Sequence, residues 1–287
     1  MTSDLNLSKI QFFALIVLCC PITNVVLAAA EPDVGQKTDT ETYLKIKSLF
    51  KIKAKANDYT IENGTKTWNN VVFELNPANS KIYSEIKPSK QLREKTIVIY
   101  PIFTAAAYSD GGFYDYYKKN CNESCLKVDI SKNYQYKYSS SGNAAQVLKL
   151  LGYRFISDID VDKNPSILDK YDKVILLHNE YVTKKEFAAI TNYKNVVYLY
   201  PNALYAEVSV DYKTNKMTLV RGHNYPDPKI KNGFSWKYDN SNLEYNTKCT
   251  NMGFDKIPNG WMLNCYPETA IHASKVLLKT VRDIGVS

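Results

Sequence analysis

Apolar and polar positions change their period along this chain, and the change divides it. From Thr42 to Lys87 the apolar residues mostly alternate. Tyr43-Leu44-Lys45-Ile46-Lys47 and Phe50-Lys51-Ile52-Lys53-Ala54-Lys55 have the two-residue period of half-buried strands. Val71-Val72-Phe73-Glu74-Leu75 and Ile82-Tyr83-Ser84-Glu85-Ile86 follow. The pattern predicts a small antiparallel extension over 42–90, of about three or four strands. Beyond it, short continuous apolar runs predict strands over Thr96–Phe103, Tyr153–Ile159, Lys173–Leu177 and Val196–Tyr200. Runs of this kind suit strands buried on both faces. Between them lie helical patterns over Gly142–Leu151, from Asn164-Pro165 to Leu168, and over Thr183–Tyr193. Thr183 and Glu186 have the spacing of a capping box. This βαβαβ alternation predicts an α/β domain over 91–287 with a mostly parallel sheet flanked by helices.

The remaining segments are more irregular. Thr104 to Gly112 reads as a small-residue loop, and Phe113 to Tyr138 as a Tyr- and Lys-rich insertion or lid. Leu204–Tyr212 and Lys216–Val220, around Lys213-Thr214-Asn215, predict a hairpin. Residues 222–262 are rich in Asn, Gly, Pro and Tyr and read as a loop-rich lobe. Thr269–Ile284 closes the chain as a helix, apolar at Ala270, Ala273, Val276, Leu277 and Val281.

Composition adds a compartment. Lys9 precedes the apolar run Ile10–Leu27, and Ala28-Ala29-Ala30 offers a cleavage site before Glu31. Residues 1–30 therefore read as a signal peptide or a membrane anchor, followed by a polar linker over 31–41. The rest of the chain is expected to be secreted or held at the cell surface, meeting membrane only through that segment. Cys19 and Cys20 lie in the targeting segment, leaving Cys121, Cys125, Cys249 and Cys265. An even number of cysteines in an oxidising compartment predicts disulfides, with the local pairs Cys121–Cys125 and Cys249–Cys265 favoured over a four-cysteine zinc site. Asn63-Gly64-Thr65 and Asn122-Glu123-Ser124 are glycosylation sequons. The net charge of +8 is spread among Asp and Glu without a basic run, which argues against a nucleic-acid partner. Tyrosine is abundant, 23 residues against 10 Phe and 3 Trp, so phenols are available both for a surface and for a site.

The candidate chemistry sits where the Lys173–Leu177 run breaks into His178-Asn179-Glu180-Tyr181. On an extended backbone His178 and Glu180 share a face. A strand ending beside a helix start is where open α/β sheets place their sites. Serine and cysteine elbows, phosphate loops and zinc-spaced histidines are all missing. Oxygen chemistry remains. Glu180 can bind a hard cation or act as a base, His178 can move a proton near neutral pH, and Tyr108 can reach the same cleft from the first strand's loop. The plainer reading is a hydrogen-bonded His178–Glu180 pair that merely closes a strand.

Three segments in order, Ala107-Tyr108-Ser109-Asp110-Gly111-Gly112, DKVILLHNEY over Asp172–Tyr181 and Pro201-Asn202-Ala203-Leu204-Tyr205, resemble the C-terminal domain of the N,N-dimethylformamidase large (beta) subunit. That family carries A-Y-N-x-x-G-G, then a strand ending in H-x-E-Y-W, then a G-N-A-x-Y-like segment. The resemblance covers roughly Thr96–Arg221. It implies a class I glutamine amidotransferase-like fold and hydrolysis of a small amide at a mononuclear iron held by two tyrosines and a glutamate, beside a histidine. By position, Glu180 and Tyr108 would be iron ligands and His178 the neighbouring acid/base. The family's other tyrosine lies on an upstream strand, near Trp68 here, with Tyr59, Tyr83 and Tyr100 as stand-ins. Val182 replaces the family's tryptophan, and Glu268 is the candidate for a further family glutamate. Two functions follow: an iron-assisted hydrolase of a small amide or related C–N bond, or a non-catalytic surface protein that binds a ligand or glycan through its Tyr-rich loops.

Overall fold

The computed structural model describes residues 40–62 and 65–286. The expected signal or anchor segment, Cys19 and Cys20, and Asn63 of the first sequon lie outside them. Among the described residues no helix is long and apolar enough to cross a membrane.

The structure is α/β, with mixed sheets flanked by helices. Its central sheet has six strands in the order Phe254–Ile257, Gly260–Leu263, Val196–Tyr198, Lys173–Leu176, Thr96–Tyr100, Arg154–Ser157. The last five are parallel; the Phe254–Ile257 edge is antiparallel. Counted along the chain, the parallel strands run 2-1-3-4-5, a doubly wound order with its switch point between the first and third strands. Both sheet faces are covered. Val98, Ile175 and Val197 enter one buried apolar cluster, while Ile97, Ile99, Val174, Leu176 and Val196 enter another. That alternation explains why these strands read as unbroken apolar runs rather than as half-polar ones.

A second sheet, Tyr181–Val182, Ala206–Asp211, Lys216–Arg221, Lys127–Asp129, continues from the third strand's end. It contains the expected hairpin. The N-terminal extension is a three-stranded antiparallel sheet of Glu41–Tyr43, Phe50–Lys55 and Val72–Leu75, with a separate Tyr59–Glu62/Thr65–Trp68 hairpin. Cys121–Cys125 and Cys249–Cys265 form the two local disulfides, at S–S distances of 1.95 and 2.15 Å.

Several local expectations change. Ser80–Ile86 is a helix, because Tyr83 and Ile86 fall on one buried helical face. The first core strand stops at Tyr100, and Ile102–Ala107 is a buried helix rather than a loop. Pro101 has no N–H for the sheet, and the alanine run favours helix. The loop-rich lobe contributes the Phe254–Ile257/Gly260–Leu263 hairpin to the central sheet. The closing helix starts only at Lys275, where the Ser274 side chain accepts the Leu277 N–H at 3.1 Å. Its C-terminus is held by Lys173, whose buried ammonium donates to the carbonyls of Val281 (2.6 Å), Arg282 (3.2 Å) and Ile284 (2.5 Å).

The extension docks on His272, whose carbonyl accepts the Leu49 N–H at 2.8 Å and the Ser48 hydroxyl at 3.1 Å. The His272 ring packs beside Phe73, and its Nδ1 has no hydrogen-bond partner. Burial pushes this imidazole down to about 4. The unfolded chain therefore takes up a proton below its ordinary 6.5 that the folded chain refuses, and stability falls as pH drops from 6.5 toward 4. The loss reaches about 3 kcal/mol at most. His272→Phe keeps a ring and removes the titration. Urea unfolding across this range should show a shallower acid slope for His272→Phe than for the wild type; equal slopes would contradict this role.

Candidate active site

The site assembles at the switch point. The Thr96–Tyr100 and Lys173–Leu176 strands lie side by side in parallel, so the segments leaving their C-terminal ends meet. Thr104, on the helix that follows the first strand, joins them. Its Oγ accepts the backbone N–H groups of Glu180 at 3.0 Å and Tyr181 at 3.3 Å. The same helix ends at Tyr108. One short helix thus fixes both the glutamate's backbone and the phenol that faces it.

Glu180 is fully buried and gathers its donors from three elements. The Tyr108 hydroxyl donates to Oε2 at 2.9 Å, and His223 Nε2 lies 2.5 Å from Oε1. The Tyr114 hydroxyl sits 2.5 Å from that of Tyr108 and 3.3 Å from Glu180 Oε1. His178 Nε2 is 3.7 Å from Oε2. Burial alone would raise the Glu180 carboxyl. The charge and hydrogen bond of His223, together with the Tyr108 hydroxyl, outweigh it and hold the carboxyl below its ordinary value. Glu180 is therefore a buried carboxylate, and its donors offset the desolvation. Burial and the Glu180 charge push both phenols well above 10, so they are protonated donors in the chain alone.

His178 is fixed by the segment before the Gly142–Leu150 helix. Its N–H donates to Ser141 Oγ at 2.8 Å, and its Nδ1 is 2.7 Å from the Ser139 carbonyl oxygen. A carbonyl only accepts, so Nδ1 carries the hydrogen and Nε2 presents a lone pair. That Nε2 is buried without a hydrogen-bond partner. Burial, partly opposed by the Glu180 charge, holds this imidazole below its ordinary value. Its ring stacks on Tyr200 at a centroid distance of 5.8 Å. The Tyr200 hydroxyl hydrogen-bonds to buried Glu268, which also accepts the Asn143 N–H. Glu268 thus braces His178 through Tyr200 rather than touching Glu180.

The structure brings together Tyr108, His178 and Glu180, as the sequence pattern anticipates. The shared face is real: His178 and Glu180 converge, while Asn179 turns the other way to Glu186 at 3.3 Å. The proposed stand-ins for another tyrosine are engaged elsewhere. Tyr83 donates to the Leu49 carbonyl at 2.6 Å. The Tyr100 hydroxyl accepts the Gln135 and Tyr136 N–H groups. Tyr59 packs against Trp68. The phenol that joins Tyr108 is Tyr114, on the Phe113–Tyr117 helix just past the Gly111-Gly112 turn. The sequence signalled it only as part of a tyrosine-dense run. His223, left-handed at φ 51°, comes from the turn after the Lys216–Arg221 strand, and no spacing pattern marked it.

Fold and site together define a doubly wound α/β protein with a buried carboxylate, two phenols and two imidazoles at its switch point. The sequence matches no family model and no curated protein.

Removing the carboxylate should expose how much the centre relies on it. Glu180→Leu leaves two phenols and two imidazoles facing each other in a dry site, and a loss of about 3–5 kcal/mol is expected. Chemical denaturation measures it. A change below about 0.5 kcal/mol, the range of ordinary surface substitutions, would contradict the assigned role.

Proposed function

We propose that this chain is an exported, metal-assisted hydrolase of a small amide or related C–N bond, built on the class I glutamine amidotransferase-like version of its α/β fold. The observation that carries the reading is the meeting of the Tyr108 and Tyr114 hydroxyls, 2.5 Å apart, on the Glu180 carboxylate. Two phenols, which lose their protons on binding, and an ionised carboxylate are hard oxygen donors, a set suited to ferric iron. Among the described residues no group of three His, Cys, Asp or Glu side chains could hold a metal; here the phenols supply the missing donors. The unpartnered His178 Nε2 points at the same centre, as expected of a side chain awaiting a water or substrate. The disulfides suit an oxidising compartment.

When bound, the iron supplies Lewis-acid polarisation of a substrate carbonyl. The chain's own residues handle the protons. His178 Nε2 accepts a proton from the attacking water while Nδ1–H stays on the Ser139 carbonyl. As the C–N bond breaks, the same nitrogen returns the proton to the departing amine. His223 holds Glu180 Oε1, which keeps the carboxylate ionised. Ser141 and Tyr200 keep the imidazole ring in place.

One observation favours a non-catalytic ligand- or glycan-binding protein instead. Glu180 has no solvent exposure, and its oxygens already have hydrogen-bond donors. Metal analysis with visible spectroscopy separates the readings. The hydrolase should carry stoichiometric iron with a tyrosinate absorption band that weakens in Tyr108→Phe and Tyr114→Phe and vanishes in Glu180→Ala. A colourless protein, equally stable with a chelator, would support the binding protein. In an active preparation His178→Ala should lower turnover about 100- to 10,000-fold without removing the iron. Unchanged turnover would exclude His178 as the proton carrier.

A further inference from the structure

Beside the stacked Tyr108–Tyr114 rings, whose centroids are 4.0 Å apart, lies a cavity of about 290 Å³. Its far wall comes from the N-terminal extension, through Asn69 and Asn70. Asp58 orients both asparagines: Asn69 Nδ2 donates to its Oδ1 at 3.0 Å and Asn70 Nδ2 to its Oδ2 at 2.7 Å. A carboxylate only accepts, so both amide nitrogens must face Asp58, leaving the two carboxamide oxygens as acceptors for something else. Lys118 and Lys137 also line the cavity, and neither is ion-paired among the described residues. Of the two acidic residues present, Asp115 is tied to the Gly111 N–H at 2.7 Å and to Asn120, while Asp110 is exposed at the rim. Ser139, whose carbonyl holds His178 Nδ1, lines the cavity as well, so the cavity meets the phenol pair directly and the imidazole through one residue, on its Nδ1 side.

The chemistry of these walls is dipolar. Carboxamide oxygens and a rim carboxylate suit an ammonium or N–H group, and two unpaired ammonium groups suit a carboxylate. The volume corresponds to roughly ten water molecules, at the small end of ligand pockets.

We propose that this cavity is the substrate pocket of the centre, and that its substrate class is a zwitterionic amide of about dipeptide size, held by Asn69, Asn70, Lys118 and Lys137. The inference rests on the hydrolase reading above. The reaction needs only water: its oxygen bonds to the amide carbon, the C–N bond breaks, and the released nitrogen gains the proton carried by His178. The N-terminal extension is then a specificity wall rather than an appendage, and Asp58 is a positioning residue acting through the two asparagines.

Isothermal titration of the intact exported chain with four probes tests this. Glycylglycine carries both charges and an amide, N-acetylglycine only the negative charge, glycinamide only the positive, and formamide neither. Glycylglycine should bind at least about tenfold more tightly than the others. Asn70→Ala, at an exposed position, and Lys137→Ala should each weaken it by a similar factor, and Asp58→Ala should do the same by freeing the asparagines to rotate. Circular dichroism confirms that each variant is folded, and iron content is measured in parallel. An iron-bearing protein with no preference for glycylglycine, or with a preference indifferent to Asn70 and Lys137, overturns the pocket and leaves the hydrolase reading standing. An iron-free protein that shows the preference and loses it in the variants upholds the pocket and removes the hydrolysis.

Discussion

The structure turns on one electrostatic requirement: an ionised carboxylate at the end of the central strand, with none of its surface exposed. Glu180 cannot stay charged there without donors on both oxygens. Tyr108 comes from the helix after the first strand, Tyr114 from the next short helix, and His223 from the second sheet. Thr104 and Ser141 fix the backbone on which Glu180 and His178 stand. Misplacing any one of these elements would leave a buried charge short of a partner, a penalty of several kcal/mol. The centre therefore constrains the fold as much as the fold positions the centre.

Topology explains why these elements can meet. In the 2-1-3-4-5 order the first and third strands are neighbours, and their following segments diverge from a common crevice. The second sheet begins at Tyr181, one residue past Glu180, and its Ala206–Asp211 and Lys216–Arg221 strands return the chain to the turn that holds His223. The Gly142–Leu150 helix approaches from the other side, preceded by the segment that clamps His178. Glu268 binds that helix's first turn and the tyrosine that stacks on His178. Burial pushes the Glu268 carboxyl up to about 8, so it is a largely neutral brace rather than a second charge in the core.

Much of the scaffold was legible because its signals are local. Buried parallel strands announce themselves as short apolar runs, and Thr183 was readable as a helix cap, its Oγ accepting the Glu186 N–H at 3.1 Å. Only half of the capping box forms, because Glu186 turns inward to Asn179. His178, Glu180 and Tyr108 stood out for the same local reason: polar residues break apolar or small-residue runs. Tyr114 and His223 did not, because one lies in a tyrosine-dense run and the other in an irregular turn, so only their contacts 66 and 43 residues away along the chain set them apart. The same limit hid the helix at Ser80–Ile86, where a pattern compatible with both periods was settled by packing against the closing helix.

The proposed hydrolase requires that two phenols and one carboxylate hold a single cation at the switch point. Anomalous diffraction at the iron absorption edge, from crystals of protein purified without chelators, tests it most directly. One anomalous peak is expected between the Tyr108 and Tyr114 hydroxyl oxygens and the Glu180 carboxylate. Density showing all three groups hydrogen-bonded to one another, with no anomalous signal between them after iron is supplied, would contradict it.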